Sequence, residues 1–207
     1  MGAKNAKPEI LMEPFVFFTE WNLEDFDCLC AEIMDGPYHC GFTLENLKDL
    51  IIDDDVVNKL ATVLSPGQPS SGKRVINSLS LLAGVCFICG MNEDAMLADI
   101  VHRIFMVFDF RLCGRLTFDE VTIALTSTLR ALESISGHSV DSVGGFHITE
   151  TTAERMTAVV FNGRDARKGC SATELLQWMI NRFELPEDFT LHGVDVGEVL
   201  SKFRALL

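Results

Sequence analysis

Basic residues are scarce in this chain. It carries 17 Lys and Arg against 30 Asp and Glu, which gives a formal net charge of -13. Phosphate recognition depends on clustered cations, so this composition argues against a surface for nucleic acid or an anionic membrane. A basic or apolar partner suits such an acidic protein better, although the same charge would also simply keep a protein soluble.

Long apolar runs are lacking as well. The longest, from Leu79 to Met91, falls short of the roughly 20 residues that a membrane-spanning helix needs. The chain does not open with the basic start and apolar run of a signal peptide. We therefore expect an intracellular protein that does not insert into a membrane.

Catalytic and nucleotide-binding motifs are not recognisable. The five histidines are dispersed, and Ser, His and acidic residues do not stand at an interpretable spacing. The segment from Gly67 to Lys73 has neither the spacing nor the preceding strand of a phosphate-binding loop. We expect no enzymatic activity and no cofactor, with calcium as the one candidate to be weighed.

The cysteines do not indicate a disulfide framework. There are seven, an odd number, and they are scattered through predicted helices. Cys86 and Cys89 form a C-x-x-C pattern inside an apolar helix, without a matching second pair. We expect both to pack in the core as small hydrophobic residues.

Apolar residues at helical spacing run through most of the chain and predict an all-α fold. Asn22 is a plausible cap for the first helix, and Asn92 for a later one that runs from Glu93 to Phe108. Breaks in the pattern divide the chain into an N-terminal apolar tail at 1–21, a helix-loop-helix pair at 22–91, a third unit at 92–133, a linker at 134–149, a fourth unit at 150–185 and a C-terminal helix at 186–207.

One short pattern recurs in three places. An apolar residue precedes Thr or Ser, and Glu or Asn follows three positions later. This is a capping box, in which the hydroxyl accepts from a backbone amide of the first helical turn and the later side chain reaches back to the cap. The apolar residue should join a short two-strand contact between paired loops. The cap and its partner are Thr43 with Asn46, Thr117 with Glu120 and Ser171 with Glu174.

The segment from Asp109 to Glu120 has the frame of a calcium-binding loop. Such a loop of about 12 residues needs a carboxylate first, a glycine sixth and a bidentate Glu last, and Asp109, Gly114 and Glu120 occupy these positions. With the recurring capping boxes, residues 22–183 resemble the EF-hand superfamily, most closely its calcineurin B-like and calmodulin-like sensors and adaptors. The resemblance implies paired helix-loop-helix units in two lobes, closed by a C-terminal helix.

Several ligand positions nevertheless carry the wrong residues. The third and fifth positions, which should supply oxygen, are Arg111 and Cys113. We therefore expect no bound metal, and we hypothesise that a side chain or hydrogen bond takes over its structural work. If calcium does bind, the resemblance assigns it to Asp109, the backbone carbonyl of Arg115, Thr117 and Glu120.

The neighbouring loops are degenerate too. The fourth loop, at 163–174, keeps Asp165 and Glu174, and Arg167 and Lys168 between them would neutralise it internally. The first loop, at 35–46, has Asn46 in place of the closing carboxylate and should not bind calcium.

Aromatic and methionine side chains on the helices could line a groove for an apolar or basic partner helix. The alternative is that they fill the protein's own core. These candidates are Phe105, Met106, Phe108, Met156, Trp178 and Met179. The apolar run that includes Phe15 to Phe18 and Trp21 should pack on the body or dock on a partner.

The resemblance implies a non-catalytic cytoplasmic adaptor or structural subunit that binds a partner polypeptide independently of calcium. Family analogy alone extends this to a cytoskeletal or ciliary assembly. The alternative is a calcium sensor in which the third or fourth loop binds weakly and opens an apolar groove.

Overall fold

The computed structural model describes residues 13–36, 41–51, 53–65, 75–136, 150–191, 194, 199 and 201–202. These residues are mainly helical, so the predicted all-α class is confirmed. In the first half a 3₁₀ helix spans Phe15–Glu20, followed by α1 (Leu23–Asp35), β1 (Phe42–Thr43), α2 (Leu44–Leu50), α3 (Asp54–Leu64), β2 (Val75–Ile76) and α4 (Ser78–Asn92). In the second half are α5 (Leu97–Phe108), α6 (Phe118–Ser136), α7 (Glu150–Val160), a 3₁₀ turn (Ala166–Lys168) and α8 (Ala172–Phe183).

Polar caps determine where several helices begin. Asn22 accepts hydrogen bonds from the backbone amides of Glu24 (2.8 Å) and Asp25 (2.9 Å), and Asp25 accepts one in return from the Asn22 amide. These bonds satisfy donors that a helix start leaves unpaired. The three predicted capping boxes are also confirmed, at Thr43 with Asn46, Thr117 with Glu120 and Ser171 with Glu174.

Helix α4 lies at the centre of the fold. Every residue from Ser78 to Gly90 is buried, which is typical of a helix that is covered on all sides. It packs against α1, α5, α6 and the N-terminal 3₁₀ helix. The buried apolar side chains of the described residues form one continuous cluster, in which the two halves of the chain meet.

Two expectations about the core are confirmed. Phe15 and Phe18 are fully buried, so this part of the N-terminal apolar run packs on the body; the first 12 residues lie outside the described ranges. Cys86 and Cys89 are also fully buried. Burial raises the pKa of both thiols, that of Cys89 to about 12, so neither ionises at neutral pH.

The junction between α4 and α5 differs from its prediction. Helix α4 continues to Asn92, and α5 begins at Leu97 instead of Glu93. The Asn92 amide donates to the carbonyls of Phe18 (3.2 Å) and Trp21 (2.9 Å), so it ties down the N-terminal segment instead of capping α5. Asn92 therefore makes a tertiary contact, which the neighbouring sequence does not predict.

Helix α6 extends to Ser136, and residues 137–149 of the expected linker lie outside the described ranges. Most of the expected C-terminal helix, including residues 195–198 and 203–207, lies outside them as well. Among the helices that the structure does describe, none has the length and hydropathy to cross a bilayer.

Candidate functional site

The third and fourth loops, at 109–120 and 163–174, lie side by side. Leu116 and Cys170 form an antiparallel bridge through two backbone hydrogen bonds of 2.8 Å each. Gly169 has a φ of 68°, and a Cβ placed there would lie 2.8 Å from the Leu116 carbonyl oxygen. The bridge therefore requires glycine beside it. In the first half of the chain, Phe42 and Ile76 are antiparallel partners in the two-stranded β1–β2 sheet.

Asp109 organises the third loop through backbone amides. Its carboxylate accepts hydrogen bonds from the amide of Cys113 on one oxygen (3.1 Å) and from that of Gly114 on the other (2.6 Å). The residue is only 3% exposed. Both oxygens of this buried carboxyl group are thus satisfied by amides of the turn itself, as is usual for a buried polar group.

The guanidinium of Arg111 lies against the end of the same loop. Its Nε donates to Glu120 Oε1 and its Nη2 to Glu120 Oε2, both at 3.2 Å. Nη2 also donates to the backbone carbonyl of Arg115 at 3.1 Å. A cationic side chain is therefore bound to the oxygens at the twelfth and seventh loop positions, in the bidentate geometry that guanidinium and carboxylate favour.

Glu120 has further partners. Its Oε2 accepts from the amide and the hydroxyl of Thr117 at 2.7 and 2.8 Å. Burial acts to raise the pKa of Glu120, but the hydrogen bonds from Thr117 and Arg111 outweigh it and hold that pKa below its ordinary value. In turn, the hydrogen bond to Glu120 raises the pKa of the Arg111 guanidinium. Glu120 is therefore ionised and paired at neutral pH.

The cation bound to the fourth loop is Arg115, a residue of the third loop. Arg115 crosses the bridge, and its Nη2 donates to Glu174 Oε2 at 2.7 Å and to the Gly169 carbonyl at 2.9 Å, while its Nε donates to the Lys168 carbonyl. The hydrogen bond from the backbone amide of Ser171 is the main cause of a lowered Glu174 pKa, and Arg115 adds to it. Arg115 thus engages the twelfth and seventh positions of the fourth loop, as Arg111 does in the third.

Arg167 and Lys168, which were expected to neutralise the fourth loop, do not pair with Glu174. Asp165 accepts from the backbone amide of Arg167 at 3.1 Å and so caps the 3₁₀ turn. The side chains of Arg167 and Lys168 are exposed, and within the described ranges neither forms a salt bridge with Glu174. The partner of Glu174 is Arg115, because the bridge between the loops brings that guanidinium within reach.

The four candidate calcium ligands converge in the third loop, yet each is already engaged. Asp109 accepts hydrogen bonds from backbone amides, and Thr117 donates one to Glu120. Arg111 donates to Glu120 and to the Arg115 carbonyl. The described part of the chain contains no group of three or more His, Cys, Asp and Glu side chains arranged to hold a metal ion.

The candidate partner-binding residues divide into two groups. Phe105, Phe108 and Met156 are buried, so the core alternative accounts for them and a partner cannot reach them in this arrangement. Met106 is 49% exposed. Trp178 and Met179 are half-buried, and Met179 lines an apolar cavity of about 200 Å³.

Sequence reasoning overlooked the side chain of Arg115 and considered only its carbonyl. Its position directly before Leu116, the bridging residue, was the available signal, since a long side chain there can reach the neighbouring loop. Comparison with known proteins does not add a relative, because no family model, curated protein or solved structure matches this chain.

Proposed function

We propose that this chain is a non-catalytic adaptor with degenerate EF-hand-like units, which binds a partner polypeptide independently of calcium. Three kinds of observation support the proposal: the helix pairs α5/α6 and α7/α8 that flank the third and fourth loops, loops paired through antiparallel contacts, and capping boxes at the loop exits. The resemblance in sequence extends the proposal to a cytoskeletal or ciliary assembly, by analogy alone.

The observation that carries the proposal is the position of the Arg111 guanidinium. It is bonded to both carboxylate oxygens of Glu120 and to the carbonyl of Arg115. Calcium takes six to eight oxygen ligands, and the EF-hand resemblance implies these same groups as ligands. To bind here, the ion would have to break the Arg111 pair and then face a nearby positive charge. The loop has an internal cation in place of a metal.

The fourth loop supports the same proposal. Arg115 bonds to Glu174 and to the Gly169 carbonyl, so one arginine serves each loop. Because Arg115 also accepts from Arg111 through its own carbonyl, the two loops are joined by a chain of hydrogen bonds. Helix geometry at both loops would then be set by side chains and would not respond to calcium.

A calorimetric titration of calcium into the full chain tests the proposal. We expect no binding heat from the wild-type protein. The variant with Arg111→Asp and Cys113→Asp removes the guanidinium and places carboxylates at the third and fifth positions, so we expect it to bind calcium with a Kd of about 10⁻⁴ M or tighter. Arg182→Asp, an exposed change on α8, is the control and should leave the protein without calcium binding.

The calcium-sensor alternative predicts a different outcome. Micromolar binding by the wild-type chain, abolished by Glu120→Gln, would establish the sensor and refute the adaptor. A pull-down from native cells in calcium and in chelator provides the second readout. The adaptor should capture the same partner in both conditions, whereas a sensor should require calcium.

A further inference from the structure

An open groove lies between the N-terminal 3₁₀ helix, the start of α1 and α3. Its volume is about 680 Å³. Apolar side chains, which we call its floor, and carboxylates both line it. We define the acidic groove by its floor residues Val16, Phe17, Trp21 and Val56, and by its acidic residues Glu13, Glu20, Asp25 and Asp55.

The floor of the acidic groove is held in place by the core. Phe17 and Trp21 are half-buried, with ring centroids 5.9 Å apart, and both rest on the fully buried ring of Phe18. The Asn92 side chain donates to the carbonyl of Trp21 at 2.9 Å. Val16 is 48% exposed although it is apolar. The groove thus presents apolar and aromatic surface on a fixed backbone.

The charges of the acidic groove are unbalanced. Among the described residues, its lining contains four carboxylates and one ammonium, that of Lys59. Lys59 pairs with Glu13 and with Asp55 at 2.7 Å each. Glu20 is exposed and has no ion pair with any residue in the described ranges. Negative potential therefore remains beside the aromatic floor.

We propose that the acidic groove docks a basic amphipathic segment of a partner polypeptide. An Arg or Lys of that segment would lie over the Phe17 and Trp21 rings, where cation–π attraction and Glu20 act together. Its apolar side chains would cover Val16 and Val56, and complementary charge would direct the encounter. This inference rests on the proposed adaptor function and names the class of partner.

Charge favours such a partner over a second copy of the chain. Each copy carries a formal charge of -13, so two copies repel one another. The chain's own first residues include Lys4 and Lys7 and are a competing source of basic charge. The experiment separates these occupants.

A labelled amphipathic peptide of Leu and Lys, about 14 residues long, serves as the probe, and fluorescence anisotropy with the full chain as the readout. We expect the Lys peptide to bind and a matched peptide with Glu in place of Lys not to bind. Raising NaCl from about 50 to about 500 mM should weaken binding, because the contact is electrostatic.

Two variants assign this binding to the acidic groove. Glu20→Lys should weaken it about tenfold, and Val16→Lys should weaken it in the same direction. Glu24→Lys is the matched control, since it makes the same charge change at an exposed residue outside the groove lining. Circular dichroism verifies that each variant is folded.

Equal weakening by Glu20→Lys and Glu24→Lys would overturn the proposal. So would binding that is about tenfold tighter after Lys4→Gln with Lys7→Gln but not after the same charge loss at the exposed pair Arg167→Gln with Arg182→Gln, because the groove would then belong to the chain's own tail. Self-association abolished by Glu20→Lys would assign it to a second copy and also overturn it. If peptide binding required calcium, the proposed adaptor function would be refuted, but the acidic groove would still be the peptide-binding site.

Discussion

At the scale of single residues, Leu112 is the most unusual position in the third loop. Its φ is 50°, a left-handed conformation, and its side chain is 81% exposed. That conformation costs an L-residue other than Asn, Asp or Gly about 1–2 kcal/mol. Since the exposed side chain recovers little by burial, Leu112 lowers the stability of the free protein.

Substitutions at Leu112 measure the cost of this left-handed conformation. Leu112→Asn should raise the free energy of unfolding by about 0.5–1 kcal/mol, because Asn tolerates the left-handed conformation. Leu112→Val should lower it, since a β-branched residue tolerates that conformation poorly. Urea unfolding measures both variants. A loss of stability with Asn would show that the Leu112 side chain makes a contact the folded chain needs.

The residues that sequence predicted correctly act locally. Thr117 and Glu120 stand three positions apart, and the capping box needs nothing beyond that spacing. Arg115 could not be assigned in the same way, because its partner Glu174 is 59 positions away and meets it only after the loops pair. Sequence therefore revealed the frame of the site but not the cations that occupy it.

At the scale of elements, α4 shows how closely the helices approach one another. Gly90 lies inside this helix, and a Cβ built there would clash with the Ile100 side chain of α5. Gly84 lies in the same helix, but a Cβ there would come no closer than 3.3 Å to its nearest neighbour, the Ile135 side chain. The two glycines differ in packing, although each is covered by the core.

Alanine at the two glycines should affect the melting temperature differently. Helix propensity favours Ala over Gly by about 1 kcal/mol at both, but overpacking at Gly90 costs about 1–3 kcal/mol more. Gly90→Ala should therefore lower the melting temperature, and Gly84→Ala should leave it unchanged or raise it. Thermal unfolding monitored by circular dichroism measures both. Equal effects would mean that α5 moves to accommodate the added methyl group.

The first residue of α5 could not be predicted from the sequence. Asn92 has the residue type of a helix cap, yet its amide donates to Phe18 and Trp21. The backbone amide of Leu97 donates instead to the carbonyl of Phe189 at 2.8 Å, which ties the start of α5 to the segment after α8. Contacts over such separations override the local preference for a cap.

At the scale of the whole molecule, acid should weaken the folded state through the two loops. The folded pKa values of Glu120 and Glu174 are lowered, whereas an unfolded Glu has a pKa of about 4.3. Folding therefore favours the ionised carboxylates. Their contribution to stability is present above about pH 5 and is lost as the pH falls through the folded pKa values.

A comparison of wild type with Glu120→Gln isolates part of this effect. The wild type should be more stable by about 1–2 kcal/mol at pH 7, because Gln loses charge-assisted hydrogen bonds. The difference should shrink below about pH 4, where Glu120 becomes protonated. Guanidinium unfolding across this pH range provides the measurement. A difference that stays constant with pH would mean that ionisation of Glu120 does not contribute to stability.

The arginines of the two loops have one further consequence. A metal ion dissociates, and its occupancy follows its concentration in the cell, whereas Arg111 and Arg115 are covalently part of the chain. In the proposed adaptor, the loop cations can be neither chelated nor depleted. In that proposal, the contacts of both loops would stay the same whether cellular calcium is high or low.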